Sequence, residues 1–200
     1  MDKKVSDIMF STATRAIQKK QGYAEMINNL ETRDYWKDQL SDEQISFIQG
    51  RDSFYLGSAS KKGRPYIQHR GGSKGFILVE NVSTIWFPDF SGNKQYISVG
   101  NFSENNQAFI FFMDYYRRRR LKLWGKATAH EIKDFPQETL EQPSATVTIE
   151  RVIKFEIQAL DENCFQHIPR RVSEEEYLEA LQRAKQEIAK LKQRIEILEG

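Results

Sequence analysis

Arg118-Arg119-Arg120-Leu121-Lys122-Leu123-Trp124-Gly125-Lys126-Ala127-Thr128-Ala129 is the stretch that decides the fold. Leu121 and Leu123 fall on one side of a two-residue repeat; Arg120, Lys122, Trp124 and Lys126 fall on the other. Successive strand side chains point to opposite faces, so this repeat reads as a strand with one buried face. Residues 152–159 repeat the pattern, with Ile153, Phe155 and Ile157 against Lys154, Glu156 and Gln158. Residues 108–116 form an aromatic-rich strand upstream. Further upstream, 53–59 and 66–70 flank the turn signal Lys61-Lys62-Gly63-Arg64-Pro65, and 76–80 and 84–87 flank a hairpin turn at Asn81. Short strands joined by tight turns predict a small antiparallel barrel. No βαβ spacing or Gly-rich dinucleotide fingerprint accompanies them.

Helices are expected on both sides of these strands. Ala13, Ala16 and Ile17 share one face before a stop at Gly22; Tyr23, Met26, Ile27 and Leu30 continue the spacing. Ser41 and Gln44 form a capping-box pair ahead of Ile45 and Ile48, and Gly50 ends that helix. At the far end, Ser173-Glu174-Glu175-Glu176 caps a helix whose first turn is acidic. Leu181, Ile188 and Ile195 then take heptad a positions, and Ala184, Leu191 and Leu198 take d. Ile at a with Leu at d favours a parallel two-stranded coil, and Glu187 would face Lys192 of a partner as Arg194 would face Glu199. A lone amphipathic helix lying on its own barrel is the alternative. The division expected is 1–52 as a helical cover, 53–172 as the barrel and 173–200 as the terminal helix.

Composition excludes several classes. The 200 residues contain one cysteine, so no intrachain disulfide can form. The longest apolar run, 108–113, is far short of the ~20 residues of a bilayer helix. The first residues lack a signal-like apolar segment, and a cytoplasmic protein is expected. The net charge of +2 offers no global attraction for nucleic acid or membrane. Arg117-Arg118-Arg119-Arg120 beside Tyr115, Tyr116 and Trp124 keeps a nucleic-acid surface as a remote reading, disfavoured against a solvent-facing hairpin end. Three histidines and Cys164 show no zinc spacing, and a Cys164–His167 pair lacks a third member.

Phosphate chemistry is better represented. Gln68-His69-Arg70-Gly71-Gly72-Ser73-Lys74-Gly75 combines cations and donors with glycines that let a ligand approach the backbone. Asp89-Phe90-Ser91-Gly92-Asn93-Lys94-Gln95-Tyr96 repeats that chemistry in a turn. Each segment alone also reads as an ordinary polar turn; together they favour a phosphorylated ligand.

Residues 54–127 resemble the pyridoxamine 5'-phosphate oxidase-related FMN-binding split barrels. The resemblance rests on Arg64-Pro65-Tyr66-Ile67-Gln68-His69 through Lys74-Gly75-Phe76, on Phe87-Pro88-Asp89-Phe90-Ser91-Gly92-Asn93-Lys94, on Asn101-Phe102 through Phe112, and on Arg119 to Ala127. Cys164-Phe165-Gln166-His167-Ile168-Pro169 is similar to a C-terminal signature of one branch of that superfamily. The resemblance implies a mainly β (α+β) chain: a six-stranded antiparallel split β-barrel with N-terminal helices and a long coiled-coil-like C-terminal helix. It also implies a homodimer with FMN sites at the interface. Lys74, Ser91, Asn93 and Lys94 would bind phosphate, with Asp89 and Gly92 in the same turn. Gln68, His69, Arg70 and Gly71 would lie along the flavin, and Gln166 and His167 would cap the site.

The chain departs from the oxidase proper. Gln68 and His69 stand where its arginine usually begins the flavin motif, and Gly72-Ser73 replaces its apolar pair. The oxidase's terminal Arg-x-His segment has no counterpart after residue 160. These departures point to an FMN-dependent oxidoreductase acting on a different small molecule. A non-catalytic flavin or haem carrier on the same barrel is the alternative.

Overall fold

The computed structural model describes residues 4–136, 148–163, 166–172 and 174–199. Cys164, Phe165 and Ser173, parts of the anticipated C-terminal signature and helix cap, lie outside the described residues. The chain divides into two units: Met1–Met113 with Arg120–Cys164, and Asp114–Arg119 with Phe165–Gly200.

The first unit opens with α1 (Ser6–Met9), α2 (Thr12–Lys20), α3 (Ala24–Thr32) and α4 (Asp42–Gln49). Ser11 caps α2 by accepting the Thr14 amide at 3.1 Å, and Gly22 follows it at φ 81°, a left-handed conformation natural to glycine. The capping box of α4 forms: the Gln44 amide reaches Ser41 Oγ at 3.3 Å, and the Ser41 amide reaches Gln44 Oε1 at 3.1 Å. Four-residue α1 is too short for periodicity to reveal. The apolar faces read on α2 and α3 are only partly used, since Ile17, Tyr23 and Met26 are exposed while Ile27 is buried.

Charge ties these helices together. The Glu31 carboxylate accepts from Lys4 Nζ at 2.7 Å, Ser6 Oγ at 2.7 Å and Arg15 Nη1 at 2.8 Å. Burial pushes the Glu31 carboxyl up, but these three donors and the Arg15 charge outweigh it and bring it down to about 2.

Seven strands follow: β1 (Ser53–Ala59), β2 (Pro65–Gly71), β3 (Leu78–Asn81), β4 (Thr84–Phe90), β5 (Gln107–Asp114), β6 (Arg119–His130) and β7 (Ile149–Asn163). Their order is β2-β1-β5-β6-β7-β4-β3. β1 pairs antiparallel with β2 and β5, β4 with β3 and β7, and β6 with β7. Among the described residues the six-stranded expectation is therefore corrected to seven. Four-residue β3 adds an edge beyond β4 across the Asn81 turn, where Asn81 Oδ1 accepts the Ser83 amide at 2.9 Å.

α5 (Ile97–Glu104) separates β4 from β5. On β6 the two-residue period holds: Leu121, Leu123 and Ala127 are fully buried. Gly125 sits at an irregularity in the β6–β7 register, where a β-carbon would stand 2.2 Å from the Glu156 carbonyl oxygen. Only glycine permits that approach.

The sheet curls until its distant strands touch. Phe54 on β1 and Phe87 on β4 are separated by β5, β6 and β7 in the hydrogen-bonded order, yet their rings lie 4.9 Å apart. Phe112 meets Phe54 at 5.3 Å, and Phe76 stacks on it at 5.9 Å. α4 adds Phe47 and Ile48 to the same core.

In the second unit, the turn between β5 and β6 is held by Asp114, whose Oδ1 accepts the Arg117 amide at 2.9 Å. Arg118 takes φ 53° there. The Arg170 guanidinium lies 4.6 Å from the Tyr116 ring centre, and Arg171 lies 4.6 Å from that of Tyr115. α6 (Glu174–Glu199) follows. No helix among the described residues is long and apolar enough to cross a membrane.

Two outcomes follow from this packing. Gly125→Ala forces β6 off β7 and lowers stability by about 3 kcal/mol or more, read as a lower urea midpoint. Glu31 is depressed below its ordinary 4.5, so its contribution is complete above that value and declines as pH falls towards 2. Thermal melts of the wild type should lose stability across that window, and Glu31→Gln, less stable at neutral pH, should show a flatter profile there.

Candidate functional site

The site arises where the two ends of the curled sheet meet. The two-residue period of β2 turns Tyr66, Gln68 and Arg70 to one side, and all three line a cleft with Asp89, Gly92, Asn93, Lys94, Tyr96, Ser98 and Glu150. β2 is one edge of the sheet, and β4 lies next to the other edge. The Arg70 Nη1 donates to Asp89 Oδ1 across this gap, joining strands that share no backbone ladder. Arg151 on β7 donates from Nη1 to the other oxygen, Asp89 Oδ2, at 3.3 Å. One buried carboxylate thus holds two guanidinium groups. Arg70 Nε is buried and has no hydrogen-bond partner, which leaves one donor of the cleft's central cation unsatisfied.

A register shift in the β4–β7 ladder shapes the rest. Asp89 pairs with Arg151 and Phe90 with Ile149, so Glu150 is the extra residue. Its carboxylate accepts from Lys94 Nζ and from Arg151 Nη2, the latter at 2.9 Å. The hydrogen bond with Glu150 raises the Lys94 ammonium above its usual range despite some desolvation, and the same bond holds Glu150 below the carboxylate range.

Lys94 and Tyr96 have φ of 61° and 52°. Non-glycine residues there carry about 1 kcal/mol or more of strain each, and such strain gathers where surroundings hold the backbone in place for a purpose. Here the Lys94–Glu150 pair and the Arg151 guanidinium, 5.1 Å from the Tyr96 ring centre, do the holding. α5 is fixed behind the cleft by Ser98 Oγ donating to Gln68 Oε1 at 3.1 Å and Asn101 Nδ2 donating to Ser58 Oγ at 2.9 Å.

The cleft brings together Gln68, Arg70, Asp89, Gly92, Asn93 and Lys94 from the anticipated set. His69 lies on the other face of β2, its ring 5.7 Å from that of its cross-strand partner Tyr55. Ser91 does not line the cleft, and its amide is engaged by the Thr148 carbonyl at 2.7 Å. Gly71 and Lys74 do not line it either. Gln166 and His167 form an exposed turn in the second unit, with His167 at φ 62°. Glu150, Arg151, Tyr96 and Ser98 were not anticipated. Arg151 meets Asp89 across 62 positions of sequence, so no local spacing could announce it.

The enclosed space is about 40 Å³, room for a small anionic group and not for a ring system. A second, apolar groove of about 580 Å³ shares Tyr66 with the cleft. Ile67, Pro65, Gly57, Phe109 and Trp124 line it. Tyr66 is the residue the two have in common; the alternation of β2 turns Ile67 to the face opposite Gln68 and Arg70. Among the described residues no group of three or more His, Cys, Asp or Glu side chains could hold a metal ion.

A family model described as pyridoxamine 5'-phosphate oxidase matches residues 40–161, and the chain belongs to that family. No curated protein matches the chain. Among solved structures, the chain is similar to HupZ from Group A Streptococcus at 14% identity and a TM-score of 0.47, covering 66% of this chain and 100% of that one. It is similar to a putative pyridoxamine 5'-phosphate oxidase from Lactobacillus delbrueckii at 16% and 0.47, covering 62% and 95%. It is also similar to HutZ, the haem storage protein from Vibrio cholerae, at 16% and 0.41, covering 62% and 94%.

Charge balance generates the test of the cleft. Glu150→Gln removes the carboxylate that neutralises Lys94, so titration calorimetry with inorganic phosphate should show several-fold tighter binding than the wild type. Because Glu150 is held below its ordinary range, mild acid near that range should not reproduce the effect.

Proposed function

We propose that this member of the pyridoxamine 5'-phosphate oxidase family binds FMN and serves as a flavin-dependent oxidoreductase on a small molecule other than pyridoxamine phosphate. The observation that carries the reading is the convergence of Arg70 and Lys94 in one cleft whose two carboxylates, Asp89 and Glu150, are also held by Arg151 from outside its lining. Arg70 and Lys94 line the cleft with Asp89 and Glu150, and Arg151 behind it shares both carboxylates, so the network as a whole carries one positive charge in excess. The unpartnered Arg70 Nε adds a donor whose need a ligand oxygen could meet after a small shift. The residues therefore fit the group.

Lys94, Asn93, Ser98 and Arg70 would hold the phosphate, with Tyr66 at the junction and Trp124, Phe109 and Ile67 holding the flat ring portion. FMN, when bound, supplies the hydride-transfer chemistry of its ring. The chain's part is to anchor one end by charge and to shield the other from water with apolar walls. A second copy of the chain would cover the groove, where Ile67 is 65% exposed. This gives the homodimer with cofactor at the interface that the family resemblance implies.

The test is titration of the purified full-length protein with FMN, followed by absorbance and flavin fluorescence. Saturable binding supports the reading, and no binding overturns it. Lys94→Ala deletes a charge-assisted contact of about 1.5–3 kcal/mol, a roughly ten- to hundred-fold weaker Kd. An unchanged Kd removes Lys94 from the site. Reduction of the bound flavin by NADH or NADPH, with reoxidation by a small-molecule acceptor, supports an enzyme. Bound flavin that no donor reduces favours the carrier reading.

A further inference from the structure

α6 exposes one continuous apolar seam. Ile188, Leu191, Ile195 and Leu198 are 53%, 51%, 52% and 78% exposed, and Tyr177 is also exposed. These positions continue through Leu181 and Ala184 at alternating spacings of four and three residues. A helix of this kind leaves its stripe in water unless another helix covers it.

We propose that α6 pairs with α6 of a second copy of this chain as a parallel, in-register two-stranded coiled coil, with Leu181, Ile188 and Ile195 at a and Ala184, Leu191 and Leu198 at d. The flanks choose this occupant. Glu187 stands at g and Lys192 at the following e, so in a parallel pair of identical helices each Glu187 faces the partner's Lys192 twice over, once on each side. β-Branched Ile at two a positions with Leu at two d positions favours two strands over three or four.

An anionic membrane surface is a poorer match. Helices that lie on such surfaces carry basic flanks, whereas Glu187 and the acidic first turn, Glu174-Glu175-Glu176, bring negative charge here. Within the helix, Arg183 reaches the Glu179 carboxylate at 3.6 Å and Lys190 reaches Glu187 at 4.0 Å; both pairs are exposed and contribute little alone. Three heptads are marginal in isolation. Any second contact between the two copies would raise the effective concentration of the helices to the millimolar range and make the pairing strong. The coil therefore works with the dimer proposed above but does not require flavin.

The test uses the full chain with Cys164→Ala, so that introduced cysteines are the only thiols. Ala184→Cys places a thiol at d, and Gln186→Cys places one at the outward f position. Under mild oxidation the Ala184→Cys protein should become a covalent dimer on a non-reducing gel, and the Gln186→Cys protein should remain single. In an antiparallel pair, position 184 sits opposite position 195, about 16 Å further along the axis, and cannot bridge to itself. Adding Leu191→Glu to the Ala184→Cys chain should abolish the bridge while FMN binding persists. No bridge at Ala184, or equal bridging at Gln186, overturns the coil. Co-sedimentation with phosphatidylglycerol vesicles in place of bridging also overturns it. Flavin titration of the same samples reports separately on the cofactor reading.

Discussion

The Asp89 carboxylate is the contact on which the rest depends. It sits buried between Arg70 on β2 and Arg151 on β7 and accepts from both. β2 and β4 never share a backbone ladder, so the curl of the sheet is completed by side chains at this point. The Phe54–Phe87 contact supplies the apolar half of that closure. A buried charge without partners would be prohibitively unfavourable, and one with two guanidinium partners is tolerated only if geometry is good. The sheet is therefore held to the curvature at which both arginines reach Asp89.

That same requirement builds the cleft. Once β2 and β4 are joined, the turn after β4 is forced to pass beside Arg70, and Lys94 and Tyr96 adopt left-handed backbone. The register shift then delivers Glu150 to Lys94. The cations are held by carboxylates, so on the function proposed above an incoming phosphate would compete with Glu150 for Lys94.

Much of the strand pattern was legible. Leu121, Leu123, Ile153 and Phe155 announce their buried faces because strand period is a local property. The α4 capping box was legible for the same reason, since Ser41 and Gln44 are three residues apart. β3 was legible too, read at 76–80 and found at Leu78–Asn81, because the Asn81 turn marks the hairpin even where a four-residue edge carries too little pattern to fix its start. On α2 and α3, apolar spacing overstated burial: Glu31, Lys4, Ser6 and Arg15 bind these helices by charge, leaving Ile17 and Met26 in water.

For the site, the residue types were evident and their grouping was not. Alternation on β2 guarantees that Gln68 and Arg70 share a side opposite His69, but not which side meets the cleft. By itself the sequence determined the strand pattern, the α4 capping box, the heptad spacing and the presence of two phosphate-like segments. Only tertiary structure decided that Arg70 and Lys94 belong to one pocket, that Glu150 joins them there with Arg151 holding the pocket's carboxylates, and that His69 packs on Tyr55. The reason is range: periodicity and capping act over three or four residues, whereas a pocket is made by side chains from strands that only a curled sheet brings together.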